Sequence, residues 1–397
     1  MDLETERTHT LAEAEACIDS TLASLGLQVS LVRHGTDLSS TVATLSGHPA
    51  ETGERVGCGK GNPVQARVGA KFVAYEHFKG VRALRAATQL ADFHETLAQP
   101  PLTDVLPLRM LASQPARTIG VLQFNACAQQ AALDYPVFLV DHTYASAPID
   151  ADDVDYHQAR RYACGTGIAA GVGATEALLH AVSEVIERHA VGTWIAHTYY
   201  RGNPRHEAPI APATLPPALT TLVQRAEQQL GSDIVLSHAR SDIDCPVVVA
   251  RCRDRRISGL HVAGSGASLY AEHAARRAIH ELVQQYMVAE GQAEARAHWH
   301  RCQARLRDWP RLQPCLALPP GDGAAIPFAQ LGGHPVTLPL EDHLQLLLQR
   351  CRTAGRPVWM RVLRQEAAGA VLACAVMPRM ERFAVAALGG VVVPSYA

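Results

Sequence analysis

The stretch from Thr175 to Ala196 constrains the chain most. It is apolar almost throughout, yet it carries three carboxylates. Ala177, Leu178, Leu179, Ala181, Val182, Val185 and Ile186 surround Glu176, Glu184 and Glu187, so the run reads as one long helix that the fold must largely bury. At about 100° per residue, Glu176 and Glu187 lie within roughly 20° of each other around the axis, and Glu184 is about 60° from Glu187. A buried carboxylate needs cations or hydrogen-bond donors, and otherwise it takes up a proton. Mg²⁺ meets that need, because it prefers oxygen ligands and bridges a few carboxylates to phosphates. Spacing alone favours the plainer reading, a polar edge on which Glu184, Glu187 and Arg188 face solvent. The preceding Gly165–Gly173 segment reads as a small-residue loop, made either for tight packing or for a nucleotide near the helix N-terminus. It matches neither GxxxxGK[ST] nor GxGxxG.

Composition excludes several classes. The 397 residues are 48 % hydrophobic and 19 % charged, enough apolar material for a large core. Net charge is −2 with no basic run, and aromatics are only 5 %, so neither the electrostatic footprint nor the stacking platform of a nucleic-acid binder is present. Met1 to His9 is charged, with no apolar signal segment after it, and no apolar run reaches the ~18 residues of a membrane span. Ten cysteines are scattered with no CxxC pair, which suggests reduced thiols and a cytoplasmic protein, without a structural metal site. Cys164, beside the small-residue loop, reads as a packing residue.

Periodicity predicts helices from Thr10 to Leu25, with Gly26 as C-cap, from Pro63 to about Phe78, from Pro216 to Leu230, from Tyr270 past Ala289, and from Glu341 to Thr353. The Tyr270 helix is expected to be the longest. Strands are expected at Gln28–Val32, Tyr135–Val140, Pro246–Cys252, Ile257–Val262, Pro357–Val362 and Ala370–Val376, with loops at Cys58–Pro63 and Trp309–Pro339. Helices and strands alternate, so the class is α+β or α/β. A weak internal echo relates Gly59-Lys60-Gly61 and the helix carrying Glu76-His77 to Gly165-Thr166-Gly167 and the helix carrying Glu187-Arg188.

The segment GTGIAAGVGATEALLHAVSEVIERHAVGTW resembles the signature of the YcaO family, close to S-x-G-x-A-x-G, then E-A, then E-x-x-E-R, then an aromatic residue. Gly167, Ala169, Gly171, Glu176-Ala177, Glu184, Glu187-Arg188 and Trp194 carry the match. A second block is Gly59-Lys60-Gly61 with Glu76. A third is Gly264-Ser265-Gly266 followed by Arg277-Ala278 through Glu281 to Gln284. The three blocks occur in the family's order between Cys58 and Gln284.

The resemblance implies an α+β, YcaO-type fold: mixed sheets and long helices around a glutamate-rich ATP cleft, with a pseudo-twofold internal repeat. The expected organisation is one catalytic domain over residues 1–397, with 309–339 a loop or insertion and 340–397 the C-terminal part of the same domain. It also implies ATP- and Mg²⁺-dependent phosphorylation of a peptide backbone amide. The expected product is an azoline made from Cys, Ser or Thr in a ribosomally made precursor peptide. Thioamide or amidine formation, and a scaffold that has lost turnover, are the alternatives.

Carried over by the resemblance, Glu76, Glu184 and Glu187 hold Mg²⁺, and Glu176 faces the nucleoside with Ala169 and Val172 along the same wall. Arg7, Arg188 and Arg277 contact phosphates, and Glu281 supports the site. A separate ThiF-like recognition partner, a flavin dehydrogenase and a homodimer are further expectations. Three positions depart from the family pattern: Val73 replaces a first Glu, His77 an Arg, and Val172 a common Asn. The single Pro394 is a poor match for a proline-rich catalytic tail.

Overall fold

The computed structural model describes residues 6–47, 55–125, 130–321, 323–335 and 337–395. Its plan rests on three short strands of small residues, each followed at once by a long helix that packs back onto it. Strand β1 (Val56–Gly61) precedes α1 (Pro63–Ala87), β2 (Ile168–Val172) precedes α2 (Ala174–Ile195), and β3 (Ala263–Ala267) precedes α3 (Ala271–Gly291). Helix α1 starts where Asn62 accepts from the Val64 and Gln65 N–H groups. Gln65 accepts in return from the Asn62 N–H, and Pro63 fills a position that needs no donor.

Glycine lets each helix approach so closely. A Cβ on Gly59 would overlap the Ala66 carbonyl of α1, and one on Gly264 would overlap the Leu282 amide of α3. The helices answer with alanines on the same face: Ala66, Ala70 and Ala74 on α1, Ala274 and Ala278 on α3, all fully buried. Backbone therefore lies against backbone, a contact that any larger residue would wedge apart.

Each strand belongs to a three-stranded antiparallel sheet. β1 pairs with Ser39–Ser46, which pairs with Gln28–His34. β3 pairs with Val247–Cys252, which pairs with Ile234–His238. β2 pairs with Ala370–Val376, in register Ala370↔Val172 to Cys374↔Ile168, and that strand pairs with Trp359–Gln365. The signature strand is thus completed by the far C-terminal part of the chain. A further sheet joins Thr88–Asp92, Thr118–Phe124 and Leu133–Pro136. Helix α2 is the hub: Leu179, Val182, Val185, Ile186 and Trp194 share one apolar cluster with Met377, Phe383 and Leu347 of the helix Leu340–Thr353. Each such side chain contributes about 1.5–3 kcal/mol when fully buried.

The mixed α+β class stands, and several elements differ in extent from the sequence expectation. Of the segments expected as loops, Cys58–Pro63 overlaps the end of β1 and Gly165–Gly173 contains β2; their glycines serve close packing, which composition cannot distinguish from turn-making. The Tyr135 strand ends at Pro136 and passes into a 3₁₀ turn, Val137–Leu139. Ile257–Val262 forms only the bridge Ile257↔Leu260; the strand beside Val247–Cys252 is β3. Helix α1 runs on past Phe78 to Ala87 and, at 25 residues, exceeds the 21 of α3. The Trp309–Pro339 segment holds a short helix, Gln313–Ala317, and a 3₁₀ turn, Phe328–Leu331. Cys127, Tyr396 and Ala397 lie outside the described residues. No helix among the described residues is long and apolar enough to cross a membrane.

The glycine contact predicts an ordering of stabilities. Gly59→Ala should cost about 3 kcal/mol through overpacking. Gly231→Ala, at a left-handed helix cap with open space around it, should cost about 1 kcal/mol. Urea unfolding of the two variants checks this, and the reverse order would contradict the packing account.

Candidate functional site

Helix α2 carries the acidic side chains, and its neighbours determine what each carboxylate meets. On one flank, Glu184 accepts from the Gly167 N–H at 3.0 Å, and Glu76 of α1 accepts from the Ala170 N–H at 3.1 Å. Both carboxylates therefore hang from the signature strand and its approach. On the other flank, Glu187 accepts from the Ser265 hydroxyl of β3 at 2.6 Å, and Arg277 Nη2 of α3 stands 3.9 Å from its Oε2. Arg188 Nε lies 3.9 Å from Glu184 Oε1. Glu281 of α3 pairs with Lys60 of β1. At the start of α2, Arg7 Nη1 donates to Glu176 Oε1 at 2.9 Å and also meets His180.

The charges on this floor are unequally compensated. Burial first, and then the like charge of Glu184, push the Glu76 carboxyl well above the usual carboxylate range, against a single backbone donor. Burial also raises Glu184, although Arg188 and the Gly167 amide oppose it. Glu281 behaves oppositely: burial would raise it, but Lys60, Arg188 and Arg277 outweigh that and hold it low. Burial works against the Arg188 cation, yet Glu184, Glu187 and Glu281 outweigh it and keep the guanidinium charged. Burial and the nearby Arg7 hold His180 neutral.

Glu76, Glu184 and Arg188 open onto a cavity of about 820 Å³ that continues past Cys164, His142 and Arg382.

Among the described residues, no three His, Cys, Asp or Glu side chains already stand close enough together to hold a metal ion. The donor chemistry still fits Mg²⁺. Glu76 and Glu184 are paired oxygen donors short of positive charge, and Mg²⁺ is usually held by one or two carboxylates completed by substrate phosphates and water.

The structure brings Glu76, Glu184, Glu187, Arg188, Arg277 and Glu281 into one neighbourhood, with Arg7 and Glu176 at the start of α2. It does not place Ala169 and Val172 on one wall. They are three residues apart on β2 and so face opposite sides of the strand, and Ala169 packs into the apolar cluster with Leu179 and Val182. Four contributors carried no assignment from sequence. Lys60 and Ser265 are each the one polar residue between two strand glycines, and His180 lies one turn after Glu176. Glu6 is buried beside Ser268, His273, His343 and Arg277. The signal for the first three was their spacing; Glu6 had none.

The sequence profile of the family described as YcaO cyclodehydratase, ATP- and Mg²⁺-binding, matches residues 58–381. The chain belongs to the YcaO family. ATP and Mg²⁺ are the cofactors of that family, and its members are enzymes. No curated protein sequence matches the chain. Among solved structures it is similar to the YcaO protein of Methanopyrus kandleri bound with AMPPCP and Mg²⁺, at 18 % identity and a TM-score of 0.67 over 96 % of this chain and 95 % of that one. A heterocyclase in complex with substrate and cofactor gives 16 % identity and a TM-score of 0.69; this chain covers 54 % of its length. The microcin synthetase McbBCD complex of E. coli gives 12 % and 0.58, over 90 % of this chain and 88 % of that one. At these identities the likeness is one of fold: small antiparallel sheets and long helices.

The uncompensated pair has a measurable cost. Without metal or nucleotide, Glu76→Gln should melt about 1–3 °C above the parent, because it removes a carboxyl whose charged form burial and Glu184 oppose and keeps an acceptor for the Ala170 N–H. A lower melting temperature would show that Glu76 is already compensated.

Proposed function

We propose that this YcaO protein uses MgATP to activate a backbone amide of a ribosomally made peptide and that its product is an azoline. The observation that carries the reading is the pair Glu76 and Glu184, short of cations, on a floor that also holds Glu187, Arg188 and Arg277 within a family whose cofactors are ATP and Mg²⁺. In this reading a Cys, Ser or Thr side chain adds to the preceding carbonyl carbon. The former carbonyl oxygen takes the γ-phosphoryl group of ATP and leaves as phosphate, so the peptide loses one water while ATP becomes ADP and phosphate.

Glu76, Glu184 and Glu187 would hold Mg²⁺, which neutralises phosphate charge when bound. Arg188 and Arg277 would contact phosphates, where a planar guanidinium matches anionic oxygens. Arg7 would join them by leaving Glu176, which then faces the nucleoside. Glu281 is a positioning residue: it holds Lys60 and helps keep Arg188 and Arg277 in place. Phosphoryl transfer needs this kind of positioning and charge neutralisation rather than a protein nucleophile. Val73, one turn before Glu76, offers no oxygen, so the first helix would supply one ligand instead of two.

The likeness to the McbBCD complex supports work alongside partner proteins; the partners in this reading are a separate ThiF-like recognition protein and a flavin dehydrogenase.

The reading is tested by incubating the protein with MgATP, a Cys/Ser/Thr-rich precursor peptide and its partners. ADP release with loss of one water from the peptide is expected, and Glu187→Gln should lower turnover on the order of 100-fold. Replacement of oxygen by sulfur would mark a thioamide product instead, and full turnover in Glu187→Gln would reject the glutamate floor.

A pH effect follows as well. Burial raises the Glu76 and Glu184 carboxyls, so metal binding, which needs their charged forms, competes with protons. With a non-hydrolysable ATP analogue present, Mg²⁺ affinity should therefore weaken more steeply as pH falls in the parent than in Glu76→Gln, with a larger buffer-dependent calorimetric enthalpy in the parent. The same pH dependence in both proteins would contradict it.

A further inference from the structure

The cavity beside Glu76 and Glu184 has a second charged feature that amide activation does not use. Arg382 lines it and is 97 % buried, being 3 % exposed. Nη1 donates to the Leu139 carbonyl at 3.0 Å and more weakly, at 3.5 Å, to the Tyr162 carbonyl and to the Cys164 sulfur. Nη2 donates to the Tyr135 hydroxyl, and Nε has no hydrogen-bond partner. No carboxylate among the described residues forms an ion pair with it.

The other deeply buried arginines differ. Arg251 has Glu207 at 2.6 Å, and Arg356 has Asp242 at 2.6 Å. The adjacent Glu381 is committed elsewhere: its carboxylate accepts from the Phe383 and Ser395 N–H groups, both at 2.9 Å. A buried guanidinium without a close ion pair is costly, with Glu381 acting on it only at longer range, and the fold keeps this one at the wall of the cavity onto which Glu76, Glu184 and Arg188 also open.

The geometry points to a carboxylate subsite: Arg382 holds a carboxylate of the peptide substrate, at the chain terminus or on an Asp or Glu side chain, in the cavity that leads to Glu184. This rests on the peptide-modifying reading above. The lining also carries Arg82, Arg85 and Glu381, and Phe78, Val140, Ile168 and Met380 offer a peptide apolar contact. Cys164, within 3.5 Å of Arg382 and also on the lining, reports occupancy.

The test uses the full chain without nucleotide, so its outcome does not depend on MgATP binding. Site-resolved mass spectrometry follows the alkylation of Cys164 by iodoacetamide with three probes: acetyl-Phe-Gly as the free acid, acetyl-Phe-Gly-amide, and acetyl-Phe-Asp-amide. One or both of the carboxylate probes should slow alkylation at least threefold, and the neutral amide should not. The probe that protects identifies a terminal or a side-chain carboxylate. Arg382→Met should abolish the protection and Arg382→Lys should retain part of it, with melting curves verifying that each variant is folded. If Arg382→Met does not fold, the acid–amide contrast in the parent and the Arg382→Lys variant decide. Equal protection by acid and amide, no protection by any probe, or protection that persists without Arg382 would overturn the subsite. So would an alkylation–pH profile showing that a Cys164 thiolate already supplies the counter-charge. Carboxylate protection in a protein that fails to bind MgATP would instead leave the subsite standing and reject the proposed function.

Discussion

Helix backbone resting on strand backbone is the contact on which the rest of this structure depends. At β1–α1 and β3–α3 the absence of a side chain on Gly59 and Gly264 lets the helix come in until alanine meets glycine. Helix α2 approaches β2 in the same way, and a Cβ on Gly171 would stand 2.9 Å from the Ala177 amide. Three helices are thereby fixed at short distances from three strands. Glu76, Glu184, Glu187 and Glu281 are delivered to one floor by rigid elements rather than by loops. A floor made in this way can keep like charges together without relaxing to separate them.

That rigidity matters because the floor is electrostatically unfavourable as it stands. Glu76 and Glu184 are near enough for the charge of one to raise the other, with backbone amides as their hydrogen-bond donors, while Arg188 lies 3.9 Å from Glu184. Strand β2, which supplies the Ala170 amide, is held in turn by Ala370–Val376, about two hundred residues later in the chain. The distant C-terminal hairpin therefore contributes to the acidic site through hydrogen-bond register. Stability given up at such a place is a common mark of a site built for a ligand.

Much of the site could be read from the sequence because its chemistry is concentrated in side chains with a helical period. Glu176, Glu184 and Glu187 could be placed on one broad side of one helix from spacing alone, and the two companion blocks identified the family. The strands were harder. Val56–Gly61 and Ile168–Val172 contain too much glycine to look extended, since their small residues answer to a helix elsewhere in the chain rather than to local propensity. The same blindness hid Lys60, expected in a loop, and Ser265, flanked by glycines, which are the partners of Glu281 and Glu187. The grouping of Ala169 with Val172 failed for the opposite reason: a loop imposes no alternation of faces, but a strand does. Glu6 and Arg382 depend wholly on tertiary contacts and had no local pattern to give them away.

The central claim is that the glutamates of α1 and α2 form a metal–nucleotide site together with the arginines of α2 and α3. Anomalous scattering from crystals grown with Mn²⁺ and a non-hydrolysable ATP analogue tests it most directly. The account predicts manganese coordinated by Glu184, with Glu76 or Glu187 as a second ligand and phosphate oxygens completing its shell, and with Arg277 turned from Glu6 towards the phosphates. Nucleotide bound with its metal away from these carboxylates, or manganese held only at surface acids, would contradict it.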